Sequence, residues 1–440
     1  MIRLYSKVSV EKRVVSAFLL LIFFGAGLLW LCNLSYRPLH PLDALFTATS
    51  AVCVTGLIVV DTGSDLSLAS QVVVLLLFQL GGLGVITASL ALMVAMGQRV
   101  GISSRILFVN TMGQNVPSGA VRLLFSVIKI TFGVELLGAL CMLPFFAENL
   151  SLGRACFTAI FHSVSAFCNA GFSLFSTSLH AYGNTFAVPA TVMFLIVVGG
   201  LGFPVWVELQ SGFSGGWRRL SVGCRLVLLT TAILILAGTL GVLLVEWNRS
   251  LVSLSPLYKT WNALFASITA RTAGFDTVAP KTFSSAGIMM LLLLMVAGAS
   301  PSSTGGGLKT TTLAVVGLAV VGEISGVQEI NLWGRRIPLR TIRRALVLLI
   351  LYLGTLFAGV VLLSLFEPFP LRDIAFEVVS ALGTVGLSTG ITGDLSPEGK
   401  MLLMVLMFWG RVGILTFMSG ILRNPEQPRL TYPITQIPVG

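Results

Sequence analysis

A short small-residue motif recurs four times along this chain, and it constrains the fold more than any other feature. Ser50-Ala51-Val52-Cys53-Val54-Thr55-Gly56-Leu57 is followed by Ser165-Ala166-Phe167-Cys168-Asn169-Ala170-Gly171-Phe172. Ile268-Thr269-Ala270-Arg271-Thr272-Ala273-Gly274-Phe275 and Ser380-Ala381-Leu382-Gly383-Thr384-Val385-Gly386-Leu387 come next. The four glycines lie 115, 103 and 112 residues apart. Each copy follows an apolar stretch too short to cross a bilayer and precedes a long one. Irregular backbone at membrane depth survives only where protein or water satisfies its polar groups. Four half-entering segments ending in small-residue loops therefore point to one central pore of fourfold pseudosymmetry, with backbone carbonyls turned toward an ion.

Composition supports a membrane protein. Apolar residues make up 55% of the chain and charged residues only 10%, against about 25% charged in a soluble domain. The repeat overrides any division of the 440 residues into soluble domains. The net charge of +11 is not a nucleic-acid signature, because the basic residues fall mainly on one side of the expected spans. Arg218, Arg219 and Arg225, and Arg335, Arg336, Arg340, Arg343 and Arg344, form its densest clusters. The bias follows the positive-inside rule and places both termini in the cytoplasm. Acidic residues gather on the other side, among them Asp43, Asp61, Asp65, Glu148, Glu246, Asp276, Glu367, Asp373, Glu377, Asp394 and Glu398. They read either as a cation-concentrating mouth or as ordinary solvated loop charges. The six cysteines form no Cys-x-x-Cys pair, so neither a disulfide framework nor a metal site is expected. The first apolar stretch lacks a cleavage site and reads as a membrane helix, not a signal peptide.

Hydropathy divides the chain into four units and a tail: unit one 1–98, unit two 99–213, unit three 214–326, unit four 327–422 and the tail 423–440. Long first helices are expected at 14–34, 121–146, 222–246 and 341–366. Short re-entrant helices follow at 41–53, 152–168, 256–271 and 370–383, and second long helices at 70–96, 186–209, 285–321 and 399–422. The long segments reach the roughly 20 residues that a bilayer requires. The fold class is thus an all-α polytopic membrane protein of four helix, re-entrant pore helix, helix units. A half-helix whose C-terminal end points at the pore presents the negative end of its dipole to a cation. The candidate ion ligands are the carbonyls of Val54, Thr55 and Gly56, of Asn169, Ala170 and Gly171, of Thr272, Ala273 and Gly274, and of Thr384, Val385 and Gly386.

A second glycine register follows the first. Gly81, Gly199, Gly298 and Gly410 trail the loop glycines by 25, 28, 24 and 24 residues. In units one and two, small residues midway along a span read as sites of close helix approach. Unit three departs from this with Gly298-Ala299-Ser300-Pro301-Ser302-Ser303-Thr304-Gly305-Gly306-Gly307-Leu308-Lys309. A proline and three consecutive glycines cannot continue a helix. Ser302, Ser303, Thr304, Gly305, Gly306, Gly307 and Lys309 are therefore expected to line the pore below the filter as a polar gate. Unit four places Arg411 where the other units carry Gly82, Gly200 and Ala299. A lone mid-span arginine faces a cavity or a partner, here the gate. Arg271, three residues before Gly274, is expected to brace its loop by donating to carbonyls.

These residues resemble the Trk/Ktr/HKT superfamily of potassium transporters over essentially the whole chain. The four glycine-centred loops match its selectivity filter, Gly298 to Thr312 its intramembrane loop, and Arg411 its basic residue in the last span. The length, short N-terminus and ending look most like the Ktr B-type membrane subunit. The resemblance implies potassium uptake across a bacterial cytoplasmic (inner) membrane, with K+ held at the filter carbonyls and sodium as a stimulating ion. It implies a homodimer in membrane lipid, docked on a cytosolic KtrA-type ring that carries any regulatory nucleotide. A serine at the first filter glycine shifts plant members toward sodium, and this chain has Gly56 there. No Gly-x-Gly-x-x-Gly strand–helix unit appears, so no nucleotide domain is expected on this chain.

Two rival readings exist. An intramembrane enzyme would need a nucleophile and base, yet His162 and Ser163 are adjacent and do not face one another on a helix. A satisfied or mouth-facing histidine is the simpler reading, and no catalytic role is expected. A non-conducting receptor or scaffold would need no aligned glycines.

Overall fold

The structure is a computed structural model and describes residues 10–84, 87, 90, 120–212, 217–327 and 329–413. The end of unit one's second span, the basic residues Arg3, Lys7, Arg99, Arg105, Arg423 and Arg429, and the tail lie outside the described residues.

Four long apolar helices open the four units: α1 (Val10–Asn33), α4 (Ala120–Ala147), α8 (Val222–Glu246) and α12 (Leu339–Phe366). The shorter helices α2 (Pro41–Val52), α5 (Leu152–Cys168), α9 (Pro256–Thr269) and α13 (Leu371–Gly383) follow them. The second helices are α3 (Leu68–Leu83), α6 (Ala187–Leu201) continued by α7 (Phe203–Gly212), α10 (Ser285–Val296) continued by α11 (Thr310–Ile324), and α14 (Pro397–Val412). Each unit is thus a long helix, a half-helix and a second helix. A two-residue hairpin, β1 (Asn331–Leu332) and β2 (Arg335–Arg336), is the one addition to the all-helical expectation among the described residues. Trp333 and Gly334 turn it with positive φ, as a tight hairpin requires. The Arg225 guanidinium covers the Trp333 ring at 5.4 Å.

Local sequence starts and stops these helices. Proline opens α2, α9 and α14, where its missing amide is harmless. Ser67, Ser221, Ser284 and Ser396 cap α3, α8, α10 and α14 through their hydroxyls. Three of these caps are tied to the end of their unit's first helix. The Ser67 amide donates to Asn33 at 2.7 Å, the Ser284 amide to Glu246 at 3.0 Å and the Ser396 amide to Glu367 at 2.8 Å.

The second helices depart from the expectation of continuous spans. They stop at Gly84, Gly202 and Gly413, which have φ of 82°, 93° and 90°. A helix cannot pass through that conformation, which glycine tolerates. In unit two the chain restarts as α7 after a bend of 93°. In unit three the break widens into the segment 297–309. Among the described residues, the four first helices are therefore the ones long and apolar enough to cross a bilayer without interruption.

The second glycine register does provide close approach. A Cβ on Gly81, Gly199 or Gly410 would collide with the carbonyl of Val52, Phe167 or Leu382, each four residues before its own loop glycine. Gly133, on the outer face of α4, has open space instead. Gly199→Val should therefore cost about 1–3 kcal/mol of stability through overpacking. Gly133→Ala should be neutral or slightly stabilising. Melting temperatures of the two purified variants in detergent check the contrast.

Candidate functional site

The four half-helices end together. At each end, the residue two before the loop glycine is left-handed: Val54 (57°), Asn169 (58°), Thr272 (74°) and Thr384 (49°). The glycines repeat this hand, with φ of 90° at Gly56, 72° at Gly171, 79° at Gly274 and 92° at Gly386. Positive φ at alternate residues lets successive carbonyls turn to one side of the chain.

The loops close into a ring. A Cβ on Gly56 would press on the Ala170 carbonyl, one on Gly171 on that of Ala273, one on Gly274 on that of Val385, and one on Gly386 on that of Thr55. Each loop thus abuts the next, in the order one, two, three, four and back to one. Unit one faces unit three, and unit two faces unit four. All twelve expected ligand residues are brought together, and most of their backbone amides are held from behind. The amides of Thr55, Ala170 and Val385 donate to the carbonyls of Ser50, Ser165 and Ser380, each at 2.8 Å, and that of Ala273 to Thr269 at 3.0 Å. The Ser50 and Ser380 hydroxyls accept from the amides of Gly56 and Gly386 at 3.1 and 3.0 Å. Ser165 and Thr269 instead donate to the carbonyls of Phe172 and Phe275 at 2.8 and 2.6 Å. Among the described residues, no donor is paired with the filter carbonyls themselves. An array of acceptors with mostly occupied amides and free carbonyls suits a dehydrated cation.

Above the ring lies a vestibule of about 370 Å³, reached by all four loop glycines. Asp61 and Asp276 are the carboxylates that line it. Most other residues of the expected acidic mouth are engaged in the framework. Asp43 pairs with Lys400 at 2.9 Å, Asp65 with Arg37 at 2.5 Å, and Glu246 and Glu367 hold helix caps. Glu377 is fully buried behind the fourth loop.

Below the ring, the segment 297–309 crosses the path. The Thr304 amide and hydroxyl donate to the carbonyls of Gly199 (3.3 Å) and Phe167 (3.1 Å) in unit two. The Gly306 amide donates to the Thr384 hydroxyl at 3.1 Å, and the Gly307 amide to the Gly410 carbonyl at 3.3 Å, both in unit four. Arg411 donates to the carbonyls of Thr304, Gly81 and Gly82, and so ties the loop to unit one. Lys309 donates from Nζ to the Gly305 carbonyl at 2.9 Å and anchors the loop to itself. Of the residues expected to form a gate, Thr304, Gly305, Gly306, Gly307, Lys309 and Arg411 are thus brought together beside the loop ring, whereas Ser302 and Ser303 bond Phe203 and Ser300.

Arg271 does not brace its loop. It is buried, its Nε has no hydrogen-bond partner, and no contact to a carbonyl is made by its guanidinium among the described residues. The role falls to hydroxyls at the ends of the half-helices. His162 is satisfied, with Nδ1 2.8 Å from the Thr158 carbonyl and Nε2 3.0 Å from the Ser173 hydroxyl.

At the mouth, His180 donates from Nε2 to Asp276 at 2.9 Å. This hydrogen bond and the carboxylate's charge raise the His180 pKa above its ordinary 6.5, against burial and nearby Lys281. A histidine with a raised folded pKa stabilises while protonated. Its contribution is complete at acid pH and is lost as pH rises through the raised value. The melting-temperature gap between the protein and His180→Gln should thus be largest near pH 5 and shrink toward pH 8, as thermal denaturation across that range will show.

Known proteins match this architecture along its length. The family profile for TrkH-type cation transport proteins matches residues 9–424. The Ktr system potassium uptake protein B of Bacillus subtilis is 34% identical over 96% of this chain and 95% of its own length. The potassium/sodium uptake protein NtpJ of Enterococcus hirae is 34% identical over 100% of this chain and 99% of its own. In fold, the potassium transporter TrkH from Vibrio parahaemolyticus superposes with a TM-score of 0.71, at 21% identity, over 92% of this chain and 84% of that one. These are transport proteins, not enzymes, and this multi-pass membrane chain belongs to the TrkH family of cation transport proteins.

Proposed function

We propose that this chain is the ion-conducting subunit of a potassium uptake system. The observation that carries the reading is the closed ring of unpaired carbonyls at Val54–Gly56, Asn169–Gly171, Thr272–Gly274 and Thr384–Gly386. Potassium sheds water at the vestibule and exchanges it for these oxygens. The half-helix ends add their negative dipole ends at the same depth. The printed names of the Bacillus subtilis and Enterococcus hirae relatives support potassium as the ion, and the second supports an involvement of sodium.

The segment Ser302–Gly307 with Lys309 and Arg411 acts as the gate. Arg411 holds the loop shut by satisfying carbonyls of two units at once, and Lys309 keeps the loop's own turn closed. Opening requires these bonds to be exchanged for water. The basic loops support a topology with both termini in the cytoplasm of a bacterial inner membrane. The names of the Ktr system relatives support a multi-component uptake system, in which this chain works as a homodimer on a cytosolic KtrA-type ring, as the resemblance to the Ktr B-type subunit implies. Any regulatory nucleotide binds that ring, and sodium stimulates uptake.

Potassium flux into proteoliposomes, with sodium as competitor, tests the reading. The unaltered chain should carry potassium in preference to sodium. Gly56→Ser adds a side chain at φ 90° against the Ala170 carbonyl. Its potassium-to-sodium ratio should fall about tenfold, equivalent to about 1.4 kcal/mol. An unchanged ratio in the folded variant would refute the filter assignment. Arg411→Gln and deletion of Ser302–Gly307 should both raise basal flux, and lower flux from folded protein would refute the gate.

A further inference from the structure

Two of the four loops are also held on their mouth side, by a relay built from different side chains. His162 and Glu377 each stand nine residues before their loop glycine, and both are fully buried. Each reaches the serine two residues after that glycine. His162 Nε2 lies 3.0 Å from the Ser173 hydroxyl, and Glu377 Oε1 lies 2.5 Å from that of Ser388. Both serines in turn accept from the amide two residues further on, Phe175 at 3.0 Å and Gly390 at 2.8 Å.

The proton positions follow from the partners. The Thr158 carbonyl can only accept, so His162 carries its proton on Nδ1 and offers Nε2 as an acceptor. Ser173 then donates to His162 just as Ser388 donates to the Glu377 carboxylate. Glu377 also accepts from the Thr392 hydroxyl at 2.8 Å and the Thr389 amide at 3.3 Å. The relay is the same in both units: chain amide to serine hydroxyl to buried acceptor. The corresponding pairs in units one and three are Thr47 with Ile58 and Phe265 with Asp276, and neither forms it. Thr47 bonds its own helix, and Asp276 is held by His180.

Units two and four face each other across the ring, so the relay acts along one diagonal of the pore. It consumes the Ser173 and Ser388 hydroxyls, which line the vestibule, so their donor protons turn away from an entering ion. It also fixes the chain on the mouth side of Gly171 and Gly386, while the Ser165 and Ser380 carbonyls hold the half-helix side through the amides of Ala170 and Val385. Ion selection depends on the spacing or the field of opposed carbonyls, and both depend on where these backbones stand. We infer that His162 and Glu377 are positioning residues for ion selection, setting the distance between the facing loops of units two and four. The inference rests on the filter reading above.

Potassium and sodium fluxes of Glu377→Ala, Glu377→Gln, His162→Ala and His162→Gln in proteoliposomes, with melting temperatures of the same samples, test it. The alanine variants should keep potassium flux but lose about five- to tenfold in potassium-to-sodium ratio, the effect of one buried hydrogen bond. The glutamine variants keep an acceptor at the relay position and should recover most of that loss, whatever their melting temperatures. A merely structural role would lower the melting temperature and leave the ratio alone, which would overturn the inference. Should an alanine variant fail to fold, Ser388→Ala and Ser173→Ala cut the same relay at its outer end. Unchanged ratios there would overturn it equally. An unaltered protein without preference for potassium would instead sink the filter reading on which all of this stands.

Discussion

Backbone carbonyls that find no donor at membrane depth are the constraint around which this molecule is built. An unpaired polar group in a hydrocarbon setting costs several kcal/mol, and here all four loops present such groups to one axis. The arrangement holds because most of the backbone around those carbonyls is paired. The amides are bonded backward into the half-helices, the half-helix ends are packed against glycines of the second helices, and the loops abut one another in a ring. In the proposed function, a cation at the axis completes the pairing that the protein withholds.

The same need explains the segment below the ring. A stretch such as 297–309 satisfies only part of its own backbone, so many of its bonds go outward. Thr304 reaches unit two, Gly306 and Gly307 reach unit four, and Arg411 brings in unit one. The loop is held by a few bonds to each neighbour. None of those bonds is part of a helix, so several can be exchanged for water without unfolding a span. Arg411 suits this place because its fork can serve carbonyls on two elements at once.

The half-helices were legible in the sequence because brief apolar stretches ending in glycine have few other uses in a membrane chain. The predicted 152–168 and 370–383 lie within a residue of Leu152–Cys168 and Leu371–Gly383. The breaks at Gly84, Gly202 and Gly413 were not legible, since a glycine within an apolar run reads equally as a contact point. Only the backbone shows that Gly199 makes the contact and Gly202 ends the helix. Arg271 and Arg411 look alike in sequence, each a lone charge in an apolar setting. Their difference lies in what the fold brings near: three carbonyls for Arg411, and none for Arg271. Glu377 read as a mouth charge for the same reason, because the fold alone turns it inward. The signal that could have found it was the shared register with His162, nine residues before a loop glycine in each case.

That register shows how fourfold form and lower symmetry coexist. Glycine and the half-helix ends repeat in every unit, because the ring closes only if each loop offers the same backbone to the next. Side chains behind the loops carry no such demand. Units two and four use the His162 and Glu377 relays, unit three ties Asp276 to His180 across to unit two's mouth segment, and unit one has Ile58 at that place. The segment 297–309 breaks the symmetry further, since one unit alone supplies it and another supplies the arginine bonded to it. A pore made from one chain can divide these tasks, whereas four identical subunits would have to place every gate and brace four times. The result is a frame whose quarters are held by different bonds: units two and four through the His162 and Glu377 relays, and unit three through Asp276, which bonds His180, Ser178 and Leu179.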